Sequence, residues 1–249
     1  MANPIRIKAI VNSVIAHGQG VYSVSMAPEG RVPRFKPGQF LHLTVDGYDP
    51  GSGYWPESRA FSIASSPGLD TLLIVYSVKG SYTRKMEKSL EPGREVWLKL
   101  PYGNFTIEKN IQSGQDIVLV AGGTGITPFI SYLDALVTTC THVGSIYLYY
   151  GVRLNSLMLF SPLLARCIEG ISTFRANIFI ENEAPDKLML PIARKAQGRL
   201  CVDAIYEEAH ELNNPIYFLS GPQPMINSFR NHLAEKRVAL TNIKIDEWE

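Results

Sequence analysis

The stretch 117–133, IVLVAGGTGITPFISYL, constrains the fold of this chain more than any other part of the sequence. Ile117–Ala121 is a continuous apolar run, which is typical of a strand buried on both faces of a parallel sheet. The turn Gly122-Gly123-Thr124-Gly125 follows, and Thr127 and Pro128 then predict a helix start with Thr127 as N-cap. Glycines admit a ligand close to the backbone, and helix N-termini attract anions. The turn therefore predicts a phosphate site, although the spacing is not GxGxxG; a tight turn without ligand is the alternative.

The rest of the second half alternates between the same two kinds of segment. Ser145–Tyr150 and Ile216–Leu219 are further apolar runs, and residues 243–248, IKIDEW, are typical of a last strand. Helix-length segments lie between them, at Pro128–Val137, Ser156–Ile168, Asp186–Ala196, Val202–Ala209 and Pro222–Lys236. Strands that alternate with helices predict βαβ units in a doubly wound parallel sheet.

The first half has a different sequence pattern, in which short β-type runs alternate with Pro-Gly turns. The predicted strands are Ile5–Val14, Gly20–Met26, Gln39–Val45, Ala60–Ala64, Leu72–Val78 and Glu95–Leu100. One helix, Ser81–Leu90, interrupts them. This spacing predicts an antiparallel barrel or sandwich. The polar segment Lys109–Gln115 suggests the boundary, so we expect a barrel domain over 1–112 and an α/β domain over 113–249.

Composition excludes several other classes of protein. The 249 residues are 45% hydrophobic and 19% charged, which argues against intrinsic disorder, and a net charge of +1 argues against a nucleic-acid partner. We expect no membrane span, because glycines, Pro128 and Asp134 interrupt the longest apolar stretch, and no signal peptide. The separated Cys140, Cys167 and Cys201 suggest buried small side chains rather than disulfides or a metal site, and a cytoplasmic location.

Three shorter segments also have the residue types of a ligand site. Arg59-Ala60-Phe61-Ser62 places a guanidinium, a ring and a hydroxyl on one strand, although a surface Arg, a core Phe and a turn Ser would look the same. Residues 77–84, SVKGSYTR, combine a Gly with a Thr three positions later at a predicted helix start, which suggests an anion site or ordinary capping. Residues 219–225, LSGPQPM, form another strand-to-helix turn, and it belongs to the same sheet edge as Gly122–Gly125.

Six motifs in the correct order together resemble the ferredoxin–NADP reductase superfamily of flavoprotein reductases, over nearly the whole chain. They are Pro37-Gly38-Gln39-Phe40 for the PGQF turn, Arg59-Ala60-Phe61-Ser62 for the RxYS flavin motif, Gly80 to Thr83 for the GxxS/T flavin-phosphate segment, Pro101-Tyr102-Gly103-Asn104-Phe105 for GPxGxF, Gly122 to Pro128 for the pyridine-nucleotide motif GGTGITP, and Ser220-Gly221-Pro222 with Met225 for CGPxxM. The resemblance implies a Greek-key flavin barrel followed by a nucleotide domain.

The resemblance also implies roles for individual residues. Arg59 binds the flavin phosphate, Phe61 packs against the isoalloxazine, and Ser62 approaches N5. Further flavin contacts are implied at Ala60, Tyr76, Ser77, Val78, Gly80, Ser81 and Thr83, and FAD is favoured over FMN because the Gly80–Thr83 segment offers a second phosphate site. Nucleotide contacts are implied at Gly122, Gly123, Thr124, Gly125, Thr127, Gly151, Arg153, Gly221, Pro222 and Met225. No metal ligand is expected.

Two departures from the family pattern, and the chain terminus, bear on the chemistry. Phe61 replaces the usual Tyr and lacks its hydroxyl, and Ser220 replaces the usual Cys beside the nicotinamide. Family members often end in an acidic residue two positions before an aromatic, a spacing that Asp246 and Trp248 fit. The resemblance therefore suggests Ser62, Ser220 and Asp246 as catalytic groups, with Trp248 covering the flavin; a terminal strand packing an aromatic residue is the alternative for the last pair.

These features predict an enzyme that passes a hydride from NADH or NADPH to flavin N5 and then electrons to an acceptor. A ferredoxin, a flavodoxin or an oxygenase component is the expected partner, and any iron–sulfur centre belongs to that partner. Reduction of a diffusible acceptor, such as free flavin or a quinone, is the alternative, as is a non-catalytic electron-transfer subunit. The turn after Tyr150, which includes Arg153, leaves the choice between NADH and NADPH open. The loop Asp46–Ser58 is interpreted as a lid or partner surface, or as a solvated turn.

Overall fold

The computed structural model describes residues 3–139, 144–185, 190 and 193–247 of the chain. The chain forms two compact units, Met1–Thr106 and Ile107–Glu249. Each unit is described by itself. The units part ahead of the polar segment at which the sequence suggests a boundary, because a short helix at Ile107–Asn110 belongs to the second unit.

The first unit is a six-stranded antiparallel sheet that curls into a nearly closed barrel. Its strands are β1 (Ile5–Gly18), β2 (Val21–Pro28), β3 (Phe40–Thr44), β4 (Arg59–Ser62), β5 (Leu72–Ser77) and β6 (Glu95–Tyr102), and they lie in the order β4-β3-β6-β1-β2-β5. Helix α1 (Ser81–Ser89) follows β5. The strand order makes β4 and β5 the two edges, so the barrel closes only where these edges meet.

Alternation along the strands fills the barrel interior. Apolar side chains at every second position, such as Val24, Leu41 and Leu98, are fully buried in one cluster. Tyr82 and Met86, one helical turn apart on α1, belong to the same cluster. Helix α1 therefore packs its apolar face on the barrel core, and this contact fixes the position of its first turn, Ser81–Thr83.

The second unit is a six-stranded parallel sheet with helices. Its strands are β7 (Ile117–Gly122), β8 (Ile146–Val152), β9 (Phe174–Ile180), β10 (Arg194–Gln197), β11 (Ile216–Ser220) and β12 (Ile243–Ile245), in the order β10-β9-β8-β7-β11-β12. Its helices are α2 (Ile107–Asn110), α3 (Thr127–Thr139), α4 (Ser161–Gly170), α5 (Val202–Ala209) and α6 (Gln223–Glu235). The predicted combination of an antiparallel barrel with a doubly wound parallel sheet is confirmed.

The centre of this sheet is buried on both faces. Every residue of β7 is buried, as its continuous apolar run predicts. Val118 and Val120 pack with residues of α5 and α6 in one cluster. The carboxyl ends of β7 and β11 are neighbours, since Ser220 pairs with Ala121. The two strand-to-helix turns that the motifs single out therefore lie side by side.

Two predicted helices are wrong in part. The expected helix Ser156–Ile168 is a 3-10 turn at Asn155–Leu157 followed by α4, because Met158 is extended and Phe160, the N-cap of α4, takes a left-handed conformation. Of the expected helix Asp186–Ala196, residues 186–189 and 191–192 lie outside the described residues, and Arg194–Ala196 belongs to strand β10.

Besides β10, strand β9 was not predicted. Strand β9 carries Arg175 and Asn177 on one face, so its sequence lacks the continuous apolar run that marks β7.

The cysteine prediction holds for one of the two described cysteines. Cys167 is buried, whereas Cys201 is exposed beside α5; Cys140 lies outside the described residues. Among the described residues, no helix is long and apolar enough to cross a membrane. No group of three potential metal ligands occurs in the described ranges either.

Candidate functional site

The glycine turn after β7 begins a helix earlier than the sequence indicates. Gly123–Ile126 already forms a 3-10 turn, Gly122 occupies the N-cap position, and no side chain caps it. The prediction that Thr127 is the N-cap is wrong. Its backbone is helical, and its hydroxyl donates to the Thr124 carbonyl at 2.6 Å. The 3-10 turn runs directly into α3, so the first backbone N–H groups without a partner belong to the glycine motif itself. Such free N–H groups at a helix start can bind an anion.

Two of the motif glycines serve packing. A Cβ on Gly125 would lie 2.3 Å from the Ser220 carbonyl oxygen, and a Cβ on Gly122 would lie 2.8 Å from atoms of both Pro222 and Met225. The turns after β7 and β11 thus touch along their backbones. Gly123 differs, because it has a φ of 56° and nothing within 4 Å of its Cβ position. Of these three glycines, Gly123 has the open surface that a ligand needs.

Ser220 and Asp246 form a buried pair at the end of β11. The Ser220 hydroxyl donates to Asp246 Oδ2 at 2.9 Å, and the Asp246 backbone N–H donates to the Leu219 carbonyl at 3.0 Å. Asp246 is 4% exposed, and burial raises the pKa of its carboxyl to about 7, against a smaller lowering by the Ser220 hydrogen bond. The pair can therefore exchange a proton near neutral pH. Trp248 lies outside the described residues.

The buried carboxyl predicts a specific pH dependence of stability. Its pKa is about 7 in the fold, against an ordinary value of 3.8, so folding takes up a proton between these values and stability falls as pH rises. We expect Asp246→Asn to leave the free energy of unfolding unchanged near pH 4 and to raise it by up to about 4 kcal/mol at pH 8. Urea denaturation of both proteins from pH 4 to pH 8 measures this; equal stability at pH 8 would contradict it.

Gly151 is the second-last residue of β8, and Arg153 follows the strand directly. A Cβ on Gly151 would lie 2.9 Å from Leu200 Cγ, so this glycine lets the segment after β10 pack closely. Arg153 is exposed, and no ion pair to it occurs among the described residues. Sequence reasoning missed Asn155 and Glu183, which are hydrogen-bonded to each other beside Arg153. They are far apart in sequence, and only the neighbouring strand ends bring them together.

In the barrel unit, Arg59 is fixed beside the start of α1. Its guanidinium carbon lies 4.6 Å from the centre of the Tyr82 ring, and its Nη2 lies 2.7 Å from Glu57 Oε1. Tyr82 is the second residue of α1, so the cation lies beside the first turn of that helix. Arg59 and these N–H groups both attract anions, and their proximity suits a phosphate. Sequence reasoning missed Glu57 and Tyr82.

Some backbone N–H groups at the start of α1 are bonded within the fold, and others remain available to a ligand. The Thr83 hydroxyl accepts hydrogen bonds from the backbone N–H groups of Lys79 and Gly80, at 2.9 and 3.0 Å, and donates to the Gly80 carbonyl. Thr83 therefore caps the helix. The N–H groups of the first turn, which begins at Ser81, have no partner within the helix and remain suited to an anion. Ser81 is exposed.

Phe61 and Ser62 line the incomplete seam between β4 and β5. The edges are joined where Ala64 N–H donates to the Leu73 carbonyl at 2.8 Å, and no backbone hydrogen bond joins Arg59–Ser62 to Leu72–Ser77 in these fully described strands. The centres of the Phe61 and Tyr76 rings lie 6.1 Å apart across the seam, and the two ring planes are tilted by 58°. The Tyr76 hydroxyl is buried without a hydrogen-bond partner among the described residues, and burial raises its pKa. Unpaired backbone edges and an unpaired hydroxyl fit a polar ligand here.

The other flavin-motif residues and the PGQF turn support these elements. Ala60 lies on β4, Ser77 ends β5, and Val78 N–H donates to the Gly20 carbonyl at 2.8 Å. Gly38 has a φ of 89°, and a Cβ there would lie 2.0 Å from the Phe105 carbonyl oxygen. The PGQF turn therefore packs on the segment that resembles GPxGxF, which explains the presence of both motifs without a ligand contact.

The loop between β3 and β4 is anchored on the barrel at Tyr48, while most of its residues are exposed. Tyr48 is buried, and its ring centre lies 5.2 Å from that of Trp55 and 5.0 Å from that of Trp97. Arg6 Nη1 donates to the Tyr48 hydroxyl. Residues 49–54 are all exposed, with Tyr54 73% exposed. The loop is therefore an anchored feature of the barrel surface.

Comparisons with known proteins agree with this arrangement. Residues 119–231 match the family model of the oxidoreductase NAD-binding domain. The chain is 26% identical over 241 residues to an NAD(P)H-flavin reductase of Vibrio harveyi, covering 94% of each chain. It is 26% identical over 212 residues to the reductase component of a propane 2-monooxygenase of Rhodococcus jostii, covering 84% of this chain and 54% of that protein.

A solved structure extends the comparison to both units. The crystal structure of a ferredoxin NADP+ reductase from Neisseria gonorrhoeae superposes with a TM-score of 0.73 at 20% identity, and 99% of each chain is covered. The chain spans about half the length of the curated relatives first matched. The antiparallel barrel and the parallel sheet therefore have the fold of that reductase, and the matched NAD-binding domain contains the glycine turn after β7.

Proposed function

We propose that this chain is an FAD-dependent NAD(P)H oxidoreductase that takes a hydride from NAD(P)H and delivers electrons to a protein acceptor. The uncapped helix start at Gly122–Gly125 is the observation that carries the proposal. It offers N–H groups beside an open Gly123 at the carboxyl end of the central strand, where open α/β sheets bind nucleotides. The match of residues 119–231 to an NAD-binding domain supports the same assignment.

The barrel unit supplies residues that suit a flavin. Arg59 and the first turn of α1 provide adjacent cationic and N–H donors for its phosphates. Phe61 and Ser62 lie on the edge strand β4 beside the open seam, both largely buried, and Phe61 stands where the family pattern has a Tyr. When bound, a flavin accepts a hydride at N5 and passes electrons on in pairs or singly, and the protein supplies binding, orientation and electrostatics.

The second unit supplies residues for the nicotinamide nucleotide and for a proton. Gly123 and Thr124 are proposed to meet the phosphates, and Pro222 and Met225 pack against the adjoining Gly122. The Ser220–Asp246 pair holds a proton near neutral pH in a buried position. We propose that this pair exchanges a proton during turnover, because the pKa of Asp246 matches the working pH of a general acid or base.

A ferredoxin-type or oxygenase-type protein is the acceptor that we propose first. The reductase component of propane 2-monooxygenase is among the relatives and supports this class of partner. A diffusible acceptor is the second candidate, because the NAD(P)H-flavin reductase of Vibrio harveyi matches this chain over 94% of both lengths. Fast reduction of added free flavin would favour the second candidate.

An anaerobic visible spectrum of the purified protein, titrated with NADH and separately with NADPH, tests the first half of the reaction. We expect a flavin band that one nucleotide bleaches completely with one equivalent. A protein that has no flavin band and takes up neither FAD nor FMN would contradict the proposed function.

A further inference from the structure

The adenosine end of the nucleotide site is expected beside the turn Asn155–Leu157. In open α/β sheets the pyrophosphate lies at the first strand-to-helix turn and the adenine ribose at the next strand, which here is β8. This 3-10 turn follows the end of β8 and has no side-chain cap of its own. Its first backbone N–H, on Asn155, has no partner within the turn and therefore needs an acceptor from elsewhere in the chain.

An internal carboxylate already takes these donors. Glu183 Oε2 accepts hydrogen bonds from both the backbone N–H and the side-chain Nδ2 of Asn155, each at 2.8 Å. Backbone bonds fix the approach, since Glu181 N–H donates to the Val152 carbonyl and Asn182 N–H to the Arg153 carbonyl. Glu183 thus occupies the position that an anion on the ribose would need.

The other described polar groups around Asn155 do not supply donors that could replace those bound by Glu183. Asn155 Nδ2 also donates to the Ala184 carbonyl, and Asn155 Oδ1 is a buried acceptor without a partner among the described residues. Arg199 Nε and Nη2 both donate to Glu181 Oε1, at 2.7 and 2.5 Å. Arg153 is an exposed cation that follows β8, and one exposed guanidinium attracts the phosphates of either cofactor.

We propose that Glu183 makes this chain select NADH over NADPH, an inference that rests on the proposed function. A 2′-phosphate carries charge of the same sign as the carboxylate and needs the donors that Glu183 holds. A 2′-hydroxyl is neutral and can donate to acceptors, of which this corner offers several. Like charges placed together disfavour the wrong partner strongly, so the carboxylate acts chiefly by rejecting NADPH.

Binding of adenosine nucleotides to the full chain tests the inference without turnover. We expect calorimetric titration to give at least tenfold tighter binding of 5′-AMP than of 2′,5′-ADP, and kcat/KM for NADH to exceed that for NADPH by at least tenfold. Equal binding of the two probes overturns the inference and leaves the proposed function intact. A chain that binds neither probe contradicts the proposed function, and the inference with it.

Variants locate the effect at Glu183. Glu183→Gln keeps an oxygen that accepts from Asn155 but removes the charge, so we expect the preference for 5′-AMP to fall by about tenfold while NADH kcat/KM changes less than threefold. Glu169→Gln removes the same charge at the far end of α4 and should leave the ratio unchanged. An unchanged ratio in Glu183→Gln, with unaltered circular dichroism, would overturn the assignment.

Discussion

Replacing Gly125 with Ala is expected to destabilise the nucleotide unit by about 3 kcal/mol and to abolish reduction by NAD(P)H. The added Cβ would lie 2.3 Å from the Ser220 carbonyl oxygen and 2.6 Å from Gly221 Cα. Both contacts are with backbone, which cannot rotate away as a side chain can. The turn after β11 must then separate from the turn after β7. Urea denaturation followed by circular dichroism, together with the NADH titration, measures both effects.

Gly170→Ala is the matched control for this substitution. Gly170 belongs to the same unit, and nothing lies within 4 Å of its Cβ position. We expect its stability and NADH titration to match those of the natural chain. The affinity for FAD should also stay within twofold in Gly125→Ala, because Arg59 and α1 belong to the other unit. Loss of FAD from Gly125→Ala would contradict the division of the two sites between the units.

Replacing Arg59 with Ala is expected to weaken FAD binding by about 10- to 100-fold while leaving 5′-AMP binding unchanged. A hydrogen bond to a charged group contributes about 1.5 to 3 kcal/mol, which corresponds to this range. The guanidinium is already held over the Tyr82 ring by Glu57, so a phosphate would meet a pre-positioned cation. Fluorescence titration of the apoprotein with FAD measures the change.

Arg84→Ala is the control for loss of a positive charge. Arg84 is an exposed residue of α1, one turn beyond Gly80. We expect it to weaken FAD binding less than threefold. Similar losses from both arginines would show that only the general charge of the helix start matters. An equal loss of FAD and 5′-AMP binding in Arg59→Ala would contradict the assignment of Arg59 to the flavin.

The parts of the fold that follow from local pattern were predictable. The apolar run of β7 could be assigned because all its residues are buried, and α5 was predicted over its full length, Val202–Ala209. Strand β9 was missed because Arg175 and Asn177 interrupt its pattern. Phe160 has a left-handed conformation and lies between a 3-10 turn and α4, whereas the apolar periodicity predicts one continuous helix there. An interruption of this kind depends on the backbone conformation of one residue, which the amino-acid pattern does not predict.

The candidate site also has parts that could be predicted from the sequence and parts that could not. The glycine motif, Arg59 and the Ser220 turn were recognisable from sequence, since each is a short contiguous segment. The partners of these residues were not, because they come from distant parts of the chain. Glu57 and Tyr82 hold Arg59 through tertiary contacts. The roles that the motifs imply for individual ligand contacts remain predictions, which the titrations above test.

The contact between the turns after β7 and β11 has an evolutionary consequence. Gly122 and Gly125 face Met225 and the Ser220 backbone with no room for a methyl group, so neither turn can change its shape alone. A larger residue at position 122 would be tolerated only together with changes at both positions 222 and 225. The two segments lie about a hundred residues apart but must change together, so we expect their substitutions in related chains to be correlated.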